Sequence, residues 1–470
     1  MSQSIITTKE QLSEQFQHMH ALSRKRPLNS WTDREALLES LEAMLIDNNQ
    51  TFTDAINKDF GNRSKDETQF AEVFPSLQGI SHSKKHGKSW MKTRRTGISK
   101  LYLPAHNEVQ PQPLGLVGIM VPWNYPLFLA IGPMIDALVA GNRIMIKMSE
   151  SAPLFAQAFA EAVAKHFSAD VISVAVGEVN LAVAFSELPF DHLLYTGSTS
   201  VGKKVMAAAA PNLTPVTLEL GGKSPVIVLD DVNLESAVNR IMMGKTLNAG
   251  QTCIAPDYVL IKSSLHSKFV KLAKEWVNKH YPNIANNKDY TRIINDNQFK
   301  RVQGYLEKLP NEQVVPLTDV SADPETRLMP PVIALNPDSQ SDVMQNELFA
   351  PILPLVHVNG LRDAVEFVNG RPRPLALYIF GNASDDIEYV RNHTVSGGVC
   401  INEVIMHVAQ HELPFGGVGH SGIGAYHGKW GFERMSHMKP IFVQSKFNAM
   451  DIMLPPYSAL FKKGLKFLIK

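Results

Sequence analysis

Cysteine is nearly absent from this chain: Cys253 and Cys400 are the two in 470 residues. That excludes a disulfide-stapled fold, makes a reducing compartment the expected setting and leaves a thiol free for chemistry. Net charge is nearly absent too, at +1, so no general field draws nucleic acid. The aromatic residues are not interleaved with basic ones, as a base-stacking surface would require. No run reaches the roughly 18 apolar residues that suit a spanning helix, and residues 1–15 carry no apolar segment of signal-peptide type. The expectation is a cytoplasmic body without a nucleic-acid partner. Internal repeats and low-complexity linkers are also missing. What remains is 44% hydrophobic and 19% charged, which excludes disorder as the main state, in a chain too long for one ordinary core. Two or more domains are expected.

The first part reads as helical. Capping boxes are expected at Thr7 with Glu10 and at Thr32 with Glu35, and Leu37, Leu38, Leu41, Met44 and Leu45 follow at helical spacing. Short apolar runs then alternate with helical patterns: Leu116–Val121, Arg143–Lys147, Val171–Val176 and His192–Tyr195. Such runs are buried strands of a mainly parallel sheet built from βα units. After Gly221-Gly222 a second series begins with Pro225–Leu229, a helix over Leu234–Thr246, and strands near Tyr258–Ile261 and Ile352–Val358. It predicts a second α/β domain.

Two segments carry the chemistry, Val216–Pro225 (VTLELGGKSP) and Asn248–Cys253 (NAGQTC). A thiolate can attack a carbonyl carbon, and a nearby carboxylate can later activate water against the resulting thioester. Glu219 sits among apolar neighbours, where desolvation raises a carboxyl pKa toward the range of a general base; a salt bridge to Lys223 or a solvated strand end is the plainer alternative. Cys253 follows a glycine-permitted turn. Taken alone it is most simply a small buried hydrophobe, and Cys400, in Gly397–Ile401, keeps that reading. Asn124 lies in a turn framed by Pro122 and Pro126, where its amide can donate to a developing alkoxide or serve only as turn chemistry.

Gly197, Ser198 and Gly202 follow a strand-like run and precede the helical stretch Lys203–Ala210, offering free amides to a dinucleotide phosphate. They do not make the usual G-x-G-x-x-G. Lys147 and Glu150 end a strand at the edge where ligands bind in such sheets. A carboxylate there accepts from ribose hydroxyls and favours NAD, while Lys147 keeps NADP admissible. No metal site is expected. The terminal stretch Leu460–Lys470 places Phe461, Leu465, Leu468 and Ile469 on one helical face with lysines largely opposite. Docking on its own domain or on a subunit neighbour is the favoured reading, and peripheral contact with an anionic bilayer the alternative.

The two segments, with Pro122–Pro126 (PWNYP), Tyr195–Thr199 (YTGST), Glu347–Phe349 (ELF) and Pro414–Gly417 (PFGG), resemble the signatures of the aldehyde dehydrogenase superfamily. The resemblance runs from about Asp59 to about Pro440. Cys400–Asn402, Tyr426–Gly428 and Ser436-His437 look most like its class 3 branch, including coniferyl-aldehyde-type enzymes. It implies an α/β fold with a Rossmann-type cofactor domain (1–97 and 113–219), an α/β catalytic domain (220–437), a small β oligomerisation flap (98–112 and 438–450) and the tail 451–470. It implies Cys253 as nucleophile, Glu219 as the base that activates water, and Asn124 with the Cys253 amide as the oxyanion hole. Glu347 and Phe349 would hold the nicotinamide ribose and ring, although Ala350 stands where the family commonly has glycine. A loop needing φ > 0 there would have to shift. His407 and Phe415, with Trp123 and Tyr125, are the expected pocket wall. The implied reaction is NAD(P)-dependent oxidation of an aromatic or medium-to-long aliphatic aldehyde, coniferyl aldehyde among them, by a homodimer. A non-catalytic binding protein on the same scaffold and a cofactor-free thiol esterase are the rival readings.

Overall fold

The computed structural model describes residues 6–28, 30–448 and 450–469. Residues 1–5 of the leading segment, Ala449 of the flap range and Lys470 of the tail lie outside them. β1 (Arg94–Thr96) and β2 (His106–Pro113) come first. β3 (Leu116–Met120), β4 (Arg143–Lys147), β5 (Ile172–Ala175), β6 (His192–Gly197) and β7 (Val216–Leu220) follow. Beyond Gly221-Gly222 come β8 (Pro225–Val228), β9 (Tyr258–Ile261), β10 (Val314–Pro316), β11 (Val332–Leu335), β12 (Ile352–His357), β13 (Ala376–Phe380) and β14 (Gly398–Ile401). β15 (Gly422–Ile423) and β16 (Ser436–Val443) complete the set.

These strands make two large sheets and a small one. The first runs β15-β7-β6-β3-β4-β5 and the second β10-β11-β12-β9-β8-β13-β14. Each is parallel except for one edge strand, β15 or β10. Such sheets must be covered on both faces, and the cover is supplied by helices such as Phe128–Ala140, buried along its whole length, and Leu234–Thr246. The third sheet, β1-β2-β16, is antiparallel, and β2 and β16 pair from Ser436–Pro113 to Val443–His106. This is the α/β architecture expected above.

The caps differ from expectation. The first helix, Lys9–Lys25, is capped by Thr8, whose hydroxyl accepts from the Gln11 amide (3.2 Å) while Gln11 accepts from the Thr8 amide (2.9 Å). Thr7 is occupied elsewhere: it pairs with Val176, its amide donating to the Val176 carbonyl (2.8 Å). Ser30 caps the long helix Trp31–Phe60, accepting from the Asp33 amide at 3.1 Å, so Thr32 lies inside the first turn. The earlier start lets Trp31 pack on the first core.

Candidate active site

Parallel pairing aligns Met120 with Lys147 and Tyr195, and Gly197 with Leu220. The carboxyl ends of β3, β4, β6 and β7 therefore share one edge, which brings Asn124, Lys147, Glu150, Gly197, Ser198 and Glu219 to the same side of the sheet. Ligands bind at this edge in open α/β sheets.

Cys253 reaches that edge on a constrained loop. The helix Leu234–Thr246 runs into the turn Leu247–Gly250, where Asn248 (φ 50°), Ala249 (φ 51°) and Gly250 (φ 74°) are all left-handed. Asparagine tolerates this conformation, but at Ala249 it costs on the order of 1–3 kcal/mol and persists only if the surroundings over-determine it. They do so here. Buried Gln251 donates to the carbonyls of Asn248 (2.9 Å) and Arg292 (3.0 Å) and accepts from the Ile294 amide (3.0 Å). Gly250 is required: a β-carbon there would fall 2.4 Å from the Ala350 carbonyl oxygen. Cys253 itself is partly buried against the second core. Burial, with Glu347 and Glu219 nearby, pushes its thiol up to about 12, while the amides of Cys253 and Ile254 pull the other way. The resting sulfur is a neutral thiol.

Asn124 is buried and locked to the same loop. Its Nδ2 donates to the Gln251 carbonyl (3.2 Å), and its own carbonyl accepts from Asn248 Nδ2 (3.0 Å) and Arg63 Nη1 (2.8 Å). Arg63 is fully buried and paired with Glu72 at 3.0 Å; Glu72 in turn accepts from the amides of Leu127 (2.8 Å) and Phe128 (3.1 Å). Asn248 and Gln251 belong to the NAGQTC segment but had no role assigned from sequence, and Arg63 and Glu72 lie outside every motif. Arg63 and Glu72 act on the turn through the fold, and nothing local marks them.

Glu219 is buried, and neither carboxylate oxygen has a hydrogen-bond partner. The salt bridge to Lys223 does not form, because Lys223 pairs with Asp257 and donates to the carbonyls of Val343 (2.7 Å) and Asn346 (2.9 Å). Burial raises the Glu219 pKa well above the ordinary value, and the Arg434 charge pulls the other way. That arginine is anchored on β7, donating to Thr217 Oγ1 (2.7 Å) and the Val216 carbonyl (2.6 Å). β15 covers the β7 edge, with Gly422 opposite Glu219. The result is a dry carboxyl group without a fixed partner, suited to taking a proton.

The cofactor candidates also take defined places. Ser198 caps the helix Thr199–Ala209, in whose first turn Gly202 lies buried, so the expected helix begins earlier than Lys203. Lys147 is buried, donates to the Met148 carbonyl (2.6 Å) and stands 3.8 Å from Glu150. Val179 and Val183, a turn apart on the helix Val179–Ser186, stay exposed, as does Val201. Glu347 Oε1 is buried without a partner, and burial raises this carboxyl to about 7 against the pull of the Gly222 amide. A β-carbon at Gly221 would fall 2.0 Å from Glu347 Oε2, so this glycine makes room for the carboxylate. The left-handed residue of the loop is Phe349 (φ 47°), not Ala350, and Ala350 is accommodated without the shift that its methyl group would force at φ > 0. Open apolar side chains, a capped helix start and a carboxylate with one unpartnered oxygen fit a dinucleotide.

Of the pocket candidates, Trp123 meets Phe349 edge-on (5.4 Å), and Phe415 stacks on His427 (5.5 Å) and lies 5.8 Å from His407. Tyr125 is buried, with Arg63 over its ring and its hydroxyl 2.8 Å from Thr252 Oγ1. It braces the cysteine loop. Cys400 is buried on β14 with its sulfur 3.1 Å from His407 Nδ1.

A thiol, an unpaired carboxyl and a donor amide lie together at the edge of a dinucleotide-type sheet. The chain belongs to the aldehyde dehydrogenase family, whose model matches residues 5–441. It is an oxidoreductase acting on aldehyde groups, in a family that uses NAD or NADP. It is 48% identical to a probable coniferyl aldehyde dehydrogenase of Pseudomonas aeruginosa, across 96% of this chain and 95% of that one. It is 41% identical to a dimeric NADP-preferring aldehyde dehydrogenase of Rattus norvegicus, across 87% and 90%. The substrate-bound structure of Staphylococcus aureus AldH superposes with a TM-score of 0.93 at 34% identity, covering 98% of this chain and 99% of that one.

Proposed function

We propose that this protein oxidises aromatic or medium-to-long aliphatic aldehydes, coniferyl aldehyde among them, to carboxylic acids through a thioester on Cys253. The observation that carries the proposal is Glu219, a buried carboxyl group with both oxygens unpartnered, within electrostatic reach of the cysteine. Cys253 Sγ loses its proton to solvent and bonds to the aldehyde carbon, while the Asn124 amide and the Cys253 N–H hold the oxyanion. Bound NAD or NADP supplies the hydride acceptor. Collapse of the adduct leaves the acyl group on sulfur. Glu219 then takes a proton from the water that attacks the thioester, and the carboxylic acid departs with Cys253 restored.

Lys147 and Glu150 would meet the adenosine ribose, the start of the Thr199–Ala209 helix with Gly197, Ser198 and Gly202 the phosphates, and Glu347 with Phe349 the nicotinamide side. A cation 3.8 Å from Glu150 supports use of NADP beside NAD. Trp123, His407 and Phe415 supply an aromatic wall. The test is reduced-cofactor absorbance with each cofactor and a panel of aliphatic and aromatic aldehydes. Aromatic and longer aldehydes should rank highest, and a preference for short aliphatic ones would overturn the substrate assignment. In the same assay Asn124→Ala should lower kcat by roughly 10²–10³, about 3 kcal/mol. An unchanged kcat would remove Asn124 from the oxyanion site.

Residues 1–97 and 113–219, which carry all strands of the first sheet except β15 and also β1 of the small sheet, read as the cofactor domain, and 220–437 as the catalytic one. The β2–β16 ribbon of the proposed flap leaves Phe442 exposed, together with Leu101 and Leu103 before it, which supports a homodimer contact. The tail helix Ala459–Leu468 is not docked on its own domain: Leu460, Leu465, Phe467 and Leu468 are exposed beside Lys462, Lys463 and Lys466. No helix among the described residues is long and apolar enough to cross a membrane. An apolar face flanked by lysines supports peripheral contact of a cytoplasmic dimer with anionic lipid. Sedimentation should give twice the 52.1 kDa chain mass without lipid, and pelleting with phosphatidylserine vesicles but not with phosphatidylcholine ones. Monomers, or equal binding to both vesicles, would contradict these assignments.

A further inference from the structure

The helix Phe74–Trp90 carries His82 and His86 one turn apart, so both imidazoles leave the same face. Their ring centroids lie 4.6 Å apart. The chain that follows the short helix Met406–Ala409 brings Glu412 to that face, with Oε1 3.6 Å from His82 Nε2. One donor atom from each of these three residues lies within 4.8 Å of the other two, and no other trio of His, Cys, Asp or Glu is so placed among the described residues.

We propose that His82, His86 and Glu412 form a binding site for a divalent transition metal of the zinc type, which fastens the segment around Glu412 to this helix. Two imidazoles and a carboxylate are a common three-ligand set for Zn²⁺, with water as the fourth ligand, whereas Mg²⁺ and Ca²⁺ prefer all-oxygen shells. His82 Nε2 is buried without a hydrogen-bond partner. Zinc–ligand bonds of about 2.0–2.2 Å put the donors roughly 3.3 Å apart. Glu412 is 79% exposed and its side chain can make that adjustment. The imidazoles pack among rings, with His411 stacked on His82 at 5.6 Å and Trp90 over His86 at 6.3 Å. Glu412 is three residues from Phe415, so the metal would tie the approach to the proposed aldehyde wall onto the first core. The role is a clamp, with no part in the chemistry at Cys253.

The test uses tag-free Cys253→Ala protein, so that the cleft thiol takes no metal, titrated calorimetrically with ZnCl2. One ion per chain is expected, and Co²⁺ should give ligand-field bands without thiolate charge transfer. His86→Ala and Glu412→Gln, both at positions with solvent access, should each weaken binding at least about tenfold while melting like the parent without metal. No uptake at micromolar zinc, unchanged affinity in both variants, or a cobalt–thiolate band from Cys400 would each overturn the site.

Discussion

Replacing Cys253 with alanine is expected to cut aldehyde-dependent cofactor reduction by on the order of 10⁴-fold or more while leaving dinucleotide affinity unchanged. The sulfur follows the strained Asn248–Gly250 turn and is the nucleophile of the proposed cycle, and the cofactor candidates Glu150, Ser198 and Glu347 do not depend on it. Steady-state absorbance and cofactor fluorescence titration make the comparison. Cys400→Ala is the control, because that thiol is buried against His407 Nδ1 and should leave turnover nearly intact. Retained turnover in the Cys253 variant would refute covalent catalysis at this residue.

Glu219→Gln should produce a different defect. Glutamine fills the same space but cannot take a proton from water, so steady-state turnover should fall by roughly 10²–10⁴. The first turnover should survive as a burst of reduced cofactor approaching one per chain. The pH dependence follows from burial. The Glu219 pKa is raised well above the ordinary carboxylate value, so the base form fills only as pH rises, and wild-type turnover should climb toward alkaline pH. In the variant that limb should vanish from the steady state. It should persist in the burst, because the Cys253 thiol, raised to about 12, titrates with the same sign. An unchanged steady-state rate would remove Glu219 from the base role.

Much of this arrangement could be read from the chain because the determinants are local. The strands Arg143–Lys147 and Tyr258–Ile261 and the helix Leu234–Thr246 fall on their predicted bounds, since continuous apolar runs and helical periodicity are properties of neighbours. The caps were legible in kind but not in place. Thr7 and Thr8 have the same chemistry, and only the distant Val176 decides which one is free to cap. What stayed hidden is non-local. The return of Gly422–Ile423 to the edge of β7, and the bond from Arg63 to the Asn124 carbonyl, join residues about two hundred and about sixty positions apart by contacts that no motif encodes. The Glu219 pair partner shows the same limit: Lys223 is four residues away in sequence, yet Asp257 holds it, which leaves Glu219 dry and unpaired.

The most direct test of the covalent account is the intact mass of the Glu219→Gln variant, quenched in acid after mixing with cofactor and an aromatic aldehyde, followed by peptide mapping. The account predicts a stoichiometric gain equal to the acyl group, located on Cys253. An unmodified protein despite a cofactor burst, or an acyl group located on Cys400, would contradict it.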